Sequence, residues 1–133
     1  TPQHDSLIRT AYNMFKDKPI FGHGPKMFRI ICADEKYATG VTPCMTHPHN
    51  FYLQWLVETG PIGLLLFISI IFFMFQHVIN NQDYTGRLIS IITLIIIFWP
   101  IMSTGSFVKN WMGVSSFFAI GLALSMNKFK LDE

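Results

Sequence analysis

The chain has 133 residues, half of them hydrophobic, and a formal net charge of +2. That charge is too small to argue for a nucleic-acid partner, and no Lys/Arg run or aromatic-basic interleaving is present. Residues 1–59 hold six of the ten Lys/Arg, four of the five His and both Cys, whereas residues 60–126 are almost uncharged. The split implies two physical environments rather than two ordinary soluble domains. The chain starts at Thr1, and residues 1–20 lack the apolar core of a signal peptide, so a piece of a longer protein is expected.

Ile8, Ala11, Tyr12 and Phe15 recur at helical spacing and predict a short helix over Asp5 to Phe15, with Asp5 or Ser6 as N-cap. Lys18-Pro19 ends it. Gly22-His23-Gly24-Pro25 then reads as a tight turn. It is no dinucleotide fingerprint, because a third Gly is missing and Pro25 removes an N–H that a phosphate cradle would use. Functionally, the turn would present Lys26 and Arg29 to a ligand. With Arg9 they are the cations suited to phosphate or diphosphate. Residues 30–46 look irregular. Cys32 and Cys44 both lie in this polar part, and a disulfide between them would place it in an oxidising compartment; two separate thiols are the other reading.

Thr46 to Thr59 predicts a second helix, with Pro48 in its first turn and a kink at Gly60-Pro61. Thr46-His47-Pro48-His49-Asn50 is the densest group of chemically capable side chains. Imidazole is the natural base near neutral pH, and a helix start favours anions. On an unbroken helix Asn50, Gln54 and Glu58 form one polar stripe and His49 faces away from Glu58. A capping or packed His is the plain alternative to a base. Cys44, His47 and His49 have some metal-ligand character, but no fourth ligand stands out and no metal is expected.

Pro61 to Ile79 carries no Lys, Arg, Asp or Glu over nineteen residues, close to the roughly twenty that a bilayer core of about 30 Å requires. Leu88 to Met102 and Trp111 to Met126 are shorter apolar runs; Trp99 suits an interface, and Pro100 ends its helix. Gly113, Ser115, Ser116, Ala119, Gly121 and Ala123 suit close helix packing in lipid. The expected fold is therefore an all-α polytopic membrane protein. It has an extracytoplasmic segment at 1–59, transmembrane helices at about 60–79, 86–103 and 110–126, and a cytoplasmic tail at 127–133.

Taken as a set, Pro19-Ile20-Phe21-Gly22-His23-Gly24-Pro25, His49-Asn50-Phe51-Tyr52-Leu53-Gln54, Glu58-Thr59-Gly60 and Ile62-Gly63 resemble the C-terminal region of the O-antigen ligase and polymerase superfamily. Ser103-Thr104-Gly105-Ser106-Phe107 followed by Asn110-Trp111 is similar to that family's last extracytoplasmic turn. The resemblance implies part of a type C glycosyltransferase-like bundle in the bacterial inner membrane, with residues 1–59 in the periplasm. It implies a donor glycan on undecaprenyl diphosphate, an acceptor hydroxyl on lipid A-core or another glycan, contact with membrane lipids, and no cofactor. It implies His49 as the catalytic base and offers Arg29 and Arg9 as candidates for binding the diphosphate; Lys26, Asn50 and His47 are expected as substrate contacts from the residues themselves. A non-catalytic assembly or docking module with a disulfide-stapled loop is the alternative, and a metal-dependent hydrolase using Cys44, His47 and His49 a third.

Overall fold

The computed structural model describes residues 1–80, 83–101, 105–106 and 109–126. Among them there are five helices and no strand: α1 (Pro2–Asp17), α2 (Phe28–Ile31), α3 (Phe51–Ile79), α4 (Tyr84–Phe98) and α5 (Asn110–Ser125).

Helix α1 is longer than its periodicity alone implies. Thr1, not Asp5 or Ser6, is the cap: its hydroxyl accepts the His4 N–H, and Pro2 sits in the first turn where a missing N–H costs nothing. Ser6 is interior instead, donating to the Pro2 carbonyl at 2.8 Å and accepting the Val41 N–H at 3.0 Å. Leu7, Ala11 and Met14 form the buried face and pack with Phe28, Tyr37 and Val57. Residues 30–46 are less irregular than expected, since α2 and two turns order them. Cys32 is bonded to Cys44, which staples this stretch beside the same core.

Helix α3 begins at Phe51, not Thr46. His49 takes a left-handed backbone (φ 57), and extended Asn50 caps the helix by accepting the Leu53 N–H at 3.0 Å. Pro48 therefore precedes the helix rather than occupying its first turn, and the face predicted for His49 on an unbroken helix does not exist. The expected kink is present: Gly60 has φ 70 inside α3. Pro61 has no N–H for the Val57 carbonyl four residues earlier. His23 supplies one at 2.9 Å, and Gly24 donates to the Glu58 carbonyl at 2.8 Å. The Gly-His-Gly turn thus fills the break in the helix. Its fit is tight: a Cβ on Gly22 would sit 2.6 Å from the Glu58 backbone, and one on Gly60 would fall on the Ile20 carbonyl.

Helix α3 is the one helix among the described residues that is long and apolar enough to cross a membrane. Its uncharged part, Pro61 to Ile79, is the candidate span; Phe51 to Thr59 lies before the kink. Helices α4 and α5 have 15 and 16 residues, a rise of about 22–24 Å at 1.5 Å per residue, short of a bilayer core of about 30 Å. Helix α4 starts at Tyr84 because Asp83 caps it, accepting the Gly86 N–H at 2.7 Å. It stops at Phe98 because Trp99, preceding Pro100, is driven to an extended backbone (ψ 119). The predicted span ends at Met102 and 103, the Ser103, Thr104 and Phe107 positions of the turn, and the tail 127–133 lie outside the described residues.

Phe67, Leu94, Phe98 and Ile120 pack the three helices together, and buried Ser90 donates to the Ala123 carbonyl at 2.7 Å. Of the small residues expected to pack, Gly113 and Ala123 are buried, while Ser115 and Gly121 are exposed. Leu65, Leu66, Phe72, Phe73, Ile96 and Phe118 point outward, the pattern of a surface suited to hydrocarbon rather than water.

Candidate active site

Four segments converge on the polar side of the kink: the turn at 24–29, residues 46–47, the first half of α3, and the start of α5. Between them lies a cleft of about 470 Å³. Lys26, Arg29 and Lys109 line it, together with His47, Gln54 and Glu58. Among the described residues none of the three cations makes an ion pair, unlike Arg9 with Asp5 and Lys36 with Asp17. Cations gathered on one concavity give it a positive potential suited to an anion.

The docked turn explains how two of them arrive there. Lys26 follows Gly24-Pro25 in a left-handed conformation (φ 62), and Arg29 is on the first turn of α2. Asp17 anchors the outer edge of this platform, accepting from Tyr37 at 2.6 Å and pairing with Lys36. Those partners, Lys36 first and Tyr37 second, hold the Asp17 carboxyl below its ordinary range. His23 joins the platform to α1 through its Nε2, 2.8 Å from the Met14 carbonyl.

The imidazoles form a row leading away from the cleft. His47 is buried and lines the cleft, with Nδ1 2.8 Å from the Thr46 hydroxyl. His49 stands behind it, ring centroids 4.4 Å apart, and stacks on His4 at 5.6 Å. Burial, and then the charge of His4, push the His49 pKa down, which favours the neutral, proton-accepting form. Glu58 is 6% exposed, with Gln54 Nε2 3.4 Å from its carboxylate. Burial pushes its carboxyl up, partly offset by the Lys26 and Phe28 N–H groups, Gln54 and the Arg29 charge.

The sequence-derived site is thus divided. Lys26, Arg29 and His47 share the cleft, and His49 touches it only through His47. Arg9 does not share it: its guanidinium pairs with Asp5 at 2.8 Å on the exposed side of α1. Asn50 has architectural contacts, capping α3 and donating to the Pro100 carbonyl at 2.7 Å. Cys44 is spent on its bond to Cys32 and offers no thiolate, which removes the ligand set of the hydrolase reading. Sequence reasoning missed Glu58, Lys109 and Trp111 as site residues. Lys109 carried a signal, being the one Lys/Arg between Arg87 and Lys128. Trp111, 84% exposed at the rim, carried one only through its place beside Asn110 in the resemblance.

Fold and site together define a class: an all-helical chain with a helix of bilayer-crossing length below a cationic cleft. Residues 6–68 match the family model described as O-antigen ligase, and the resemblance to that superfamily is shown over this stretch, which holds most of the cleft. The chain is also similar to a protein of Rickettsia conorii (strain ATCC VR-613 / Malish 7) provisionally named a polysaccharide ligase. The two are 30% identical over 83 residues, covering 59% of this chain and 20% of that relative. The chain therefore spans about a fifth of the length of the relative it matches. No solved structure gives a significant match.

Proposed function

We propose that the chain is the C-terminal part of a membrane glycan transferase of the O-antigen ligase type. It moves a glycan from undecaprenyl diphosphate to an acceptor hydroxyl on lipid A-core or on another glycan. The observation that carries this reading is the convergence of unpaired Lys26, Arg29 and Lys109 beside the His47–His49 pair, at the polar end of an apolar helix. In the reaction, the bond from the anomeric carbon to the phosphate oxygen breaks and its electron pair stays on the diphosphate. The three cations stabilise that charge where it grows. The acceptor oxygen attacks the anomeric carbon and its proton passes to imidazole. His47 lines the cleft where the hydroxyl would enter, and His49, in ring contact behind it and held toward its neutral form, is the second imidazole able to accept the proton. A lipid-bound donor confined to the membrane plane would bring its diphosphate to the level of the kink.

The same reading places α3, α4 and α5 in the bacterial inner membrane and residues 1–59 in the periplasm. The Cys32–Cys44 bond supports this, since such bonds persist in oxidising compartments. Helices α4 and α5 would reach across with their flanking residues.

The test is complementation with the full-length gene product in hosts lacking either the ligase or the polymerase, read as glycan-bearing lipopolysaccharide on a gel. Wild type should rescue one host, and which one names the acceptor. His47→Ala, His49→Ala and Arg29→Ala should each abolish rescue at normal membrane levels. Full rescue by both histidine variants would end the imidazole-base mechanism. Failure of wild type in both hosts would favour a non-catalytic assembly module.

A further inference from the structure

Glu58 is the buried titratable group that the mechanism above leaves unused. Its carboxyl faces the same cleft as the three cations, with the Lys26 and Phe28 N–H groups beside it and the Gln54 amide at a long 3.4 Å. Resting on the reading of this cleft as a diphosphate site, we propose that Glu58 takes up a proton when a diphosphate enters, so that anion affinity is coupled to pH.

Electrostatic repulsion drives the coupling. A diphosphate drawn in by Lys26, Arg29 and Lys109 must share about 470 Å³ with this carboxyl. An ionised carboxylate and a multiply charged anion so close together, in a wall that excludes water, repel strongly. The anion cannot leave without giving up its cations, so the carboxylate is neutralised instead. Burial already disposes the group that way. Once protonated, Glu58 changes from a repelling acceptor into a donor that can hydrogen-bond a phosphate oxygen. Its main chain cannot move aside, because its carbonyl holds the Gly24 N–H at 2.8 Å and Gly22 is packed against its backbone.

The other charged and titratable groups facing Glu58 are Lys26 and Arg29 on the turn and α2, His47 before α3, and Lys109 before α5. A proton on the His47 imidazole would also strengthen anion binding, so the test must separate the two groups.

The experiment is calorimetric titration of the intact, solubilised membrane protein with inorganic pyrophosphate near neutral pH, in buffers of differing ionisation enthalpy. Wild type should take up a fraction of a proton per pyrophosphate bound. Glu58→Gln should lose that uptake and bind about tenfold tighter, the equivalent of one pKa unit. Its affinity should also vary less with pH, while His47→Ala should keep the Glu58-linked uptake. An infrared difference spectrum of wild type alone should show a protonated carboxyl appearing with pyrophosphate, which covers the case of a poorly folding variant. Equal proton counts in wild type and Glu58→Gln, or weaker binding by the variant, would overturn the proposal and leave the diphosphate site standing. No difference in binding between wild type and Arg29→Ala would instead remove the site itself, and this proposal with it.

Discussion

The two halves of the molecule are held together by different means. Residues before the kink use directed contacts: a disulfide, the Asp17–Tyr37–Lys36 cluster, and backbone N–H groups matched to particular carbonyls across long sequence separations. Residues after it rely on a few apolar anchors, Phe67, Leu94, Phe98 and Ile120, and leave most of their large side chains outward. The first half must fix charges in space in a polar medium, where misplacement is penalised by water competing for every partner. The second half has a surface that lipid could solvate as well as protein does, so specificity there falls to scarce polar ties such as Ser90 to Ala123. Gly60, where the halves join, belongs to both.

That comparison is broken most severely at the join. Gly60→Ala puts a Cβ at φ 70 onto the Ile20 carbonyl, and the turn at 20–24 would have to lift off. The expected cost exceeds about 4 kcal/mol, and the signature is protease cleavage near Phe21 while α4–α5 stays helical by circular dichroism. Uniform unfolding of both halves would show that the ties across the kink, such as Tyr52 to Phe98, make them one cooperative unit. Next in size is Cys32→Ser with Cys44→Ser, expected to cost about 3 kcal/mol from the loop released. Measured by denaturant titration in detergent, the loss should register in Trp55 fluorescence less than in proteolysis of residues 30–46.

A smaller effect should follow acidification. The His49 pKa is depressed in the folded state, so the unfolded chain binds the proton more readily. Its contribution to stability is full above the ordinary value of 6.5 and is lost as pH falls through that value toward the folded one. The melting temperature should drop between pH 7.5 and 5.5, by less than for either substitution above. His49→Asn, whose side chain tolerates the left-handed backbone, should flatten that drop. An unchanged slope would assign it to other groups.

What was legible in the sequence follows the same division. The uncharged run after Pro61 and the kink at Gly60-Pro61 were readable because each is a local property: hydropathy over a window, and a missing N–H. The ends of helices were less so. Thr1 caps α1 although Asp5 and Ser6 are equally good capping residues, because Ser6 is needed to bind Val41 thirty-five residues away. Thr46 did not start α3, since His49 turns left-handed and leaves the cap to Asn50. The cleft was legible as to Lys26 and Arg29, which share one turn, and His47, which adjoins the helix start. Its third cation and its acid were not, because their proximity depends on the fold bringing the start of α5 to the first half of α3. The Gly-His-Gly turn shows the limit most clearly: its glycines were visible, but their purpose lay in the Val57 and Glu58 carbonyls, which the break at Gly60-Pro61 leaves for it to fill.

Lys26 sharpens the comparison by the smallest effect. It is a long, charged side chain on a left-handed backbone (φ 62), a conformation that glycine adopts without steric cost and lysine does not. Lys26→Gly should therefore raise stability by about 1 kcal/mol, offset in part by the greater freedom of an unfolded glycine. The same change removes one of three cations from the cleft, so pyrophosphate should bind several-fold more weakly and with a shallower salt dependence. A stabilised protein with a weakened site would mean that the turn is strained for the sake of where it puts its charge. Should stability fall instead, the lysine stem must contribute packing that outweighs the backbone strain, and the turn would be a structural plug first and a ligand platform second. If binding is unchanged while stability rises, the anion rests on Arg29 and Lys109 alone, and the role of the Gly-His-Gly turn reduces to repairing the break that Pro61 makes in α3.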